Sequence, residues 1–134
     1  MRILALLVLL LIGPAGVTHA AEDVAAGQTI IRSQEEAFGR DDAAAAYTFA
    51  SPAIQDRFHD PETFMSMVRK GYAPVYRHRS FEFGEAKTAN GTIQQEVHII
   101  DANGVAWEAL YTLEPQPDGS LKISGCVLTK AVIS

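Results

Sequence analysis

The fold is decided by residues 51–83, SPAIQDRFHDPETFMSMVRKGYAPVYRHRSFEF. Asp60-Pro61-Glu62 is a strong helix start, because Asp caps the first turn, Pro suits the first helical position and Glu favours the positive helix end. Gly71 ends this amphipathic helix. Tyr72–Tyr76 is then predicted to be extended around Pro74, because the residue before a proline avoids helical angles. The stretch therefore joins a helical half of the chain to a sheet.

Upstream, the pattern predicts further helical segments. Glu22 and Asp23 are expected to open the first helix, which ends at Gly39 and carries an apolar stripe at steps of three and four. A second helix is predicted over 43–50, and Ser51-Pro52 restarts a helical turn.

Downstream, apolar and polar residues alternate in four runs, predicted as strands over 77–85, 92–100, 105–113 and 121–128. Tight turns separate them, of which Asn90-Gly91 is a strong hairpin signal. Helices first and strands afterwards indicate an α+β fold, with N-terminal helices packed on a curved four-stranded antiparallel sheet. The face expected to meet the helices carries Phe81, Phe83, Ile93, Val97, Ile99, Trp107, Tyr111, Ile123 and Val127. The outer face is expected to carry His78, His98, Ile100, Leu110, Cys126 and Leu128.

Residues 1–20 have the pattern of a secretory signal peptide, with Arg2 ahead of the apolar run Ile3–Ile12. Thr18-His19-Ala20 places cleavage after Ala20, leaving one domain over 21–134. The run is short for a membrane span, so an uncleaved anchor is the weaker alternative. We therefore expect an exported protein, periplasmic or extracellular, with no membrane span after cleavage.

Composition limits the partners. The chain has 134 residues, enough for one small domain, and a net charge of −5. That charge argues against nucleic acid as a partner. Cys126 is the only cysteine, so no internal disulfide can form, and we expect a buried side chain without a nucleophilic role.

The segments DDAAAAYTFASPAIQDRF, DPETFMSMVRKGYAPVYRHRSFEFGE and ALYTLEPQPDGSLKISGCVL resemble a bacterial exported family known as domain of unknown function 4864. The order of elements is similar to the cystatin-like, or nuclear-transport-factor-2-like, cone. In that fold a curved sheet wraps a long helix and often leaves a cavity at its wide end. The resemblance implies a fold and a compartment, but no activity and no catalytic residues.

Enzymes of the wider fold need an acid or a histidine inside an apolar cavity. No Asp or His lies on the predicted inner strand faces, so we predict no catalytic residue and no cofactor. Asp56 and His59 form a conceivable acid–base pair, but an exposed loop residue beside the helix start explains His59 better. His98 with Glu96 is a weak metal signal, and no metal site is predicted.

The predicted ligand pocket lies where the linker enters the sheet, and Arg79 is its expected charged anchor. It can bind a carboxylate or phosphate there, although a solvated surface Arg paired with Glu82, Glu85 or Glu96 is the favoured interpretation of this residue. The pocket candidates are Tyr72, Tyr76, Arg79, Phe83, Trp107 and Tyr111.

Three functions remain open from the sequence. The favoured one is a non-catalytic protein that binds a small apolar or amphipathic ligand or a partner protein. The alternatives are a cofactor-free isomerase or lyase with a pocket acid or base, and a structural scaffold with a closed core. A homodimer through the outer sheet face is a further hypothesis, because that face is more apolar than a solvated face needs.

Overall fold

The computed structural model describes residues 15–132, and the side chains from His19 onward. The first helix, α1 (Ala15–Gly39), begins before the predicted start at Glu22, so the acids lie inside it. Arg2 and the apolar run Ile3–Ile12 of the predicted signal peptide lie outside the described residues. Cleavage after Ala20 falls within α1 and stays a prediction. No helix within residues 15–132 is long and apolar enough to cross a membrane.

Four shorter helices follow: α2 (Ala43–Thr48), α3 (Pro52–Arg57), α4 (Pro61–Gly71) and α5 (Ala73–Tyr76). The predicted caps of α3 and α4 are confirmed. The side chain of Ser51 accepts a hydrogen bond from the Ile54 backbone N–H, and Asp60 accepts one from Thr63.

The prediction of an extended linker over Tyr72–Tyr76 was wrong, because this segment contains the helical turn α5. Pro74 lies in the first turn, where a helix has no partner for the backbone N–H that proline lacks. Tyr72 closes α4 and opens α5: its N–H donates to Val68 O, and its carbonyl accepts from Tyr76 N at 3.0 Å. The chain therefore turns into the sheet through a compact bend.

The sheet contains β1 (His78–Ala89), β2 (Thr92–Asp101), β3 (Ala106–Pro115) and β4 (Leu121–Lys130), in the order β1-β2-β3-β4 with every pair antiparallel. Asn90 and Gly91 both have positive φ, 52° and 80°, as the predicted hairpin turn requires. The predicted α+β class is confirmed: helices precede a curved, open, four-stranded antiparallel sheet.

Two shifts of register change which face some residues occupy. Between Thr112 and Leu113 the pairing with β4 slips by one residue, so Cys126 lies opposite Tyr111 and Leu128 opposite Ala109. Cys126 and Leu128 therefore belong to the inner face, and Val127, 61% exposed, does not belong to the buried core. The predicted faces of these three residues were wrong.

The second shift lies at the start of β1, between His78 and Ser80. His78 was predicted on the outer face, but its ring packs against Phe81, with centroids 4.9 Å apart. Its side chain is only 14% exposed. The irregular start of the strand lets both rings lie on the same side.

The core lies between the helices and the inner sheet face, around Ile31, Phe38, Met65, Val97, Ile99 and Leu113. Helices and sheet are also joined through the backbone. Ser51 N donates to Ile123 O and Ile123 N donates to Phe49 O, both at 2.8 Å. This bridge holds the start of α3 beside the edge strand β4, where a cavity opens.

Candidate functional site

A cavity of about 420 Å³ lies between helices α3 and α4 on one side and strands β3 and β4 on the other. A volume of this size falls within the range of small-molecule sites. The helical segments contribute Phe38, Phe58, Phe64, Met67, Val68 and Tyr72. The strands contribute Tyr111, Ile123, Ser124, Cys126 and Val127.

The helical wall is an aromatic cluster centred on Phe64. Its ring lies 6.3 Å from Phe38, 5.7 Å from Tyr47 and 6.5 Å from Phe58, centroid to centroid. Phe58 is held by its position directly after α3, where its N–H donates to Ile54 O. The Tyr47 hydroxyl donates to Phe58 O at 2.6 Å. These contacts form one preorganised apolar surface.

Tyr111 and Cys126 face each other across paired strands on the opposite wall. Burial raises the pKa of the Cys126 thiol to about 12 and that of Tyr111 well above its ordinary value of 10. The nearby residues Cys126 and Glu35 also raise the pKa of Tyr111. Both groups are therefore neutral at physiological pH, so this wall offers hydrogen-bonding groups but no charge and no reactive thiolate.

Two polar side chains on the cavity are buried. Tyr111 is 2% exposed, and its hydroxyl is hydrogen-bonded to the Cys126 thiol. Gln34 is 4% exposed and donates from Nε2 to Ala46 O at 3.1 Å. This leaves its side-chain carbonyl oxygen as an acceptor. The deep part of the cavity thus contains one hydroxyl paired with a thiol and one amide oxygen.

Arg57, the last residue of α3, is the charged residue on the lining, and it is exposed. Among the ion pairs of residues 15–132, none involves Arg57 within 4.0 Å. Its charge therefore lies at the rim, where an anion of a bound molecule can reach it.

The structure brings two of the six predicted pocket residues, Tyr72 and Tyr111, to this cavity. The other four lie elsewhere. The Arg79 Nη1 atom lies beside Gly104 in the turn after β2, 3.4 Å from where a Cβ would stand. Trp107 donates its indole N–H to Asp101 Oδ2 at 2.9 Å.

Phe83 and Tyr76 each stack against arginine. The Arg32 guanidinium lies 4.7 Å from the Phe83 ring centroid. The Arg77 guanidinium carbon lies 4.1 Å from the centroid of the Tyr76 ring, and the Tyr76 hydroxyl donates a hydrogen bond to Asp41. Both rings are thus already occupied by cation–π contacts within the fold.

Sequence reasoning missed Arg57, Phe58 and Cys126 as lining residues. A signal existed for Phe58, because Ile54 and Phe58 are four residues apart on one face of a helical turn. No local signal marks Arg57, which reaches the rim only because the bridge between Ser51 and Ile123 fixes α3 beside β4. Cys126 was assigned to the wrong face by the undetected register shift.

A partly buried acid–base pair lies outside this cavity. His78 Nε2 is 2.6 Å from Glu35 Oε2, and Arg32 Nη1 donates to Glu35 Oε1 at 2.5 Å. The side chains of Glu35 and His78 are 15% and 14% exposed, and neither lines the cavity. The pair joins α1 to the start of β1, which is a structural role.

Within the described part of the chain, the residues that can hold a metal ion are Glu96, His98 and Glu108 on the outer sheet face. One donor atom of each lies within 4.8 Å of the others. Sequence reasoning considered the first two only. His98 and Glu108 are exposed, and charged side chains on a solvated strand face commonly lie together without an ion.

Residues 20–133 match the model of a protein family described as "Domain of unknown function (DUF4864)". The match spans most of the chain, so the chain belongs to this family. No curated protein matches the chain. No solved structure matches it either.

Proposed function

We propose that this family member is a non-catalytic binding protein whose cavity takes a small, largely apolar or amphipathic molecule. The supporting observation is the cavity of about 420 Å³, with an aromatic and aliphatic wall and few polar groups. Concave sites of this composition are typical of small-molecule binding.

The lining favours binding over the two alternatives. A proton-shuttling isomerase or lyase needs a carboxylate or imidazole beside its substrate, whereas neither group is found among the described residues that line the cavity. Tyr111 and Cys126 do not replace such a base, because burial raises the pKa of both. A scaffold with a closed core would fill the space that is open here.

The test is titration calorimetry of the purified protein with octanol, an uncharged amphipathic probe. We expect saturable binding at one site. In the variant Met67→Trp, a larger side chain on α4 occupies part of the cavity, so affinity should fall at least about tenfold, or about 1.4 kcal/mol. Val132→Trp, at a residue that is 93% exposed, is the control and should bind like the unmodified chain.

Equal binding by the unmodified chain and Met67→Trp would show that octanol binds elsewhere. The absence of any saturable binding would favour the scaffold alternative.

The same proposal includes export and a cone-shaped fold of the cystatin-like, or nuclear-transport-factor-2-like, type. Arg2, the apolar run Ile3–Ile12 and Thr18-His19-Ala20 support export. The order of helices before a curved sheet, with a cavity between them, supports the fold. The intact mass of the mature protein should correspond to a chain that begins at Ala21; a chain that retains Met1 in a membrane fraction would contradict export.

A further inference from the structure

We propose that the cavity prefers an amphipathic anion of short chain length that also carries a neutral hydroxyl group at its far end. This inference rests on the proposed function, because it names the ligand class of the same cavity. The contrast between a charged rim and a polar but uncharged interior supports it.

The first step is the position of the positive charge. Arg57 is exposed at the rim and has no carboxylate partner within 4.0 Å among residues 15–132. Asp56 precedes it but does not line the cavity. A guanidinium binds a carboxylate through two parallel hydrogen bonds, so an anionic head is expected at the rim, where water still reaches it.

The second step is the interior, which disfavours a charge. Burial shifts Tyr111 and Cys126 toward their neutral forms, and the same desolvation would act on a ligand carboxylate placed beside them. The lining offers that carboxylate no cation at depth. The charged end of the ligand therefore stays outside, which fixes the direction in which the molecule enters.

The third step is the pair of buried hydrogen-bonding groups. The Tyr111 hydroxyl is paired with the Cys126 thiol, and the Gln34 side-chain oxygen remains an acceptor after its amide donates to Ala46. A thiol sulfur is a weak hydrogen-bond acceptor, and a hydroxyl oxygen is a stronger one. A ligand hydroxyl satisfies both, because it can accept from Tyr111 and donate to Gln34.

The fourth step is size. A volume of about 420 Å³ equals that of about fourteen water molecules in the liquid. A chain of about eight carbons with a carboxylate fits this space, and its methylene groups would contact the aromatic wall around Phe64. Long fatty acids exceed it.

The test compares four probes on the purified protein by titration calorimetry: octanol, octanoate, octyltrimethylammonium and ω-hydroxyoctanoate. Octanoate should bind about tenfold more tightly than octanol, and the ammonium probe more weakly than either. ω-Hydroxyoctanoate should bind about two- to tenfold more tightly than octanoate, through the hydrogen bonds of its hydroxyl.

Matched variants assign each effect. Arg57→Ala should remove the preference of octanoate over octanol, whereas Arg79→Ala, which alters an arginine beside the turn after β2, should leave it unchanged. If Arg79→Ala removed the preference and Arg57→Ala did not, the result would favour Arg79, the anchor predicted from sequence, and would overturn the role of Arg57. Tyr111→Phe should reduce only the advantage of ω-hydroxyoctanoate.

The outcomes separate this inference from the proposed function. Octanol binding as tightly as octanoate would overturn the anionic preference while leaving the binding function standing. ω-Hydroxyoctanoate binding no better than octanoate would overturn the role of the deep polar pair. If no probe binds, the proposed function itself fails.

Discussion

Asp101 illustrates at the residue scale how one carboxylate holds a turn and a tryptophan together. Its Oδ1 accepts from the backbone N–H of Asn103 and Val105 at 2.8 and 2.9 Å, and its Oδ2 accepts from the Trp107 indole. The hydrogen bond from Trp107 is the largest of the contributions that lower the pKa of Asp101 below its ordinary value of 3.8. The folded state therefore favours the ionised form.

This lowered pKa makes a prediction for acid conditions. A group whose pKa is lower in the folded state stabilises the fold fully above its unfolded pKa and loses that contribution as the pH falls through the folded value. Trp107 is the only tryptophan, so its fluorescence should report a transition below pH 3.8. Asp101→Ala should lack it. A transition at or above 3.8, or one that persists in the variant, would contradict this assignment.

At the element scale, an irregularity in the pairing of β4 with β3 decides which residues of β4 face the core. Alternation along Leu121–Leu128 predicts that Val127 faces inward with Ile123 and that Leu128 faces outward. The one-residue shift beside Leu113 reverses this order after Ile123. Leu128 consequently packs on the core, and Val127 is 61% exposed.

The shift can be tested with one substitution at each position. Leu128→Lys should lower the free energy of unfolding by about 2–3 kcal/mol, because it places a charge against the core. Val127→Lys should change it by less than about 0.5 kcal/mol. Urea denaturation measures both. A larger loss of stability in Val127→Lys than in Leu128→Lys would contradict the shift. It would mean that side chains alternate without interruption along β4 and that Leu128 lies on the outer face.

The elements that the sequence predicted well are those with local causes. Asp60 with Pro61 starts α4 and Asn90-Gly91 closes a hairpin, because capping and turn geometry depend only on neighbouring residues. The turn α5 was missed because Pro74 was read as requiring an extended chain, although proline also fits the first turn of a helix. The slip in β4 was missed because it appears only in the pairing with β3, a different segment of the chain.

The same distinction explains, at the scale of the whole molecule, why the pocket was only partly predicted. Tyr72 and Tyr111 were selected for their chemistry and do line the cavity. Tyr76, Arg79, Phe83 and Trp107 lie near them in the chain or on the sheet but are held by other contacts. Which residues surround the space depends on how α3 and α4 lie against the edge strand, and no local pattern contains that information.

Phe64 contributes both to the cavity wall and to the stability of the domain, because it packs on Phe38, Tyr47 and Phe58 and is 4% exposed. Phe64→Ala should lower the free energy of unfolding by about 3–5 kcal/mol, much of the stability of a small domain. It should also enlarge the cavity, so that decanol gains affinity relative to octanol.

Phe83→Ala is the matched control for the change in decanol affinity relative to octanol. Phe83 is half-buried, stacks under Arg32 and lies outside the cavity. The substitution should cost stability through lost packing but leave the ratio of decanol to octanol affinity unchanged. Urea denaturation and calorimetry on both variants measure the two quantities. A loss below about 1 kcal/mol in Phe64→Ala would show that its ring does not belong to the core. An equal change of ligand preference in Phe83→Ala would show that the probes do not occupy the space between α4 and β4.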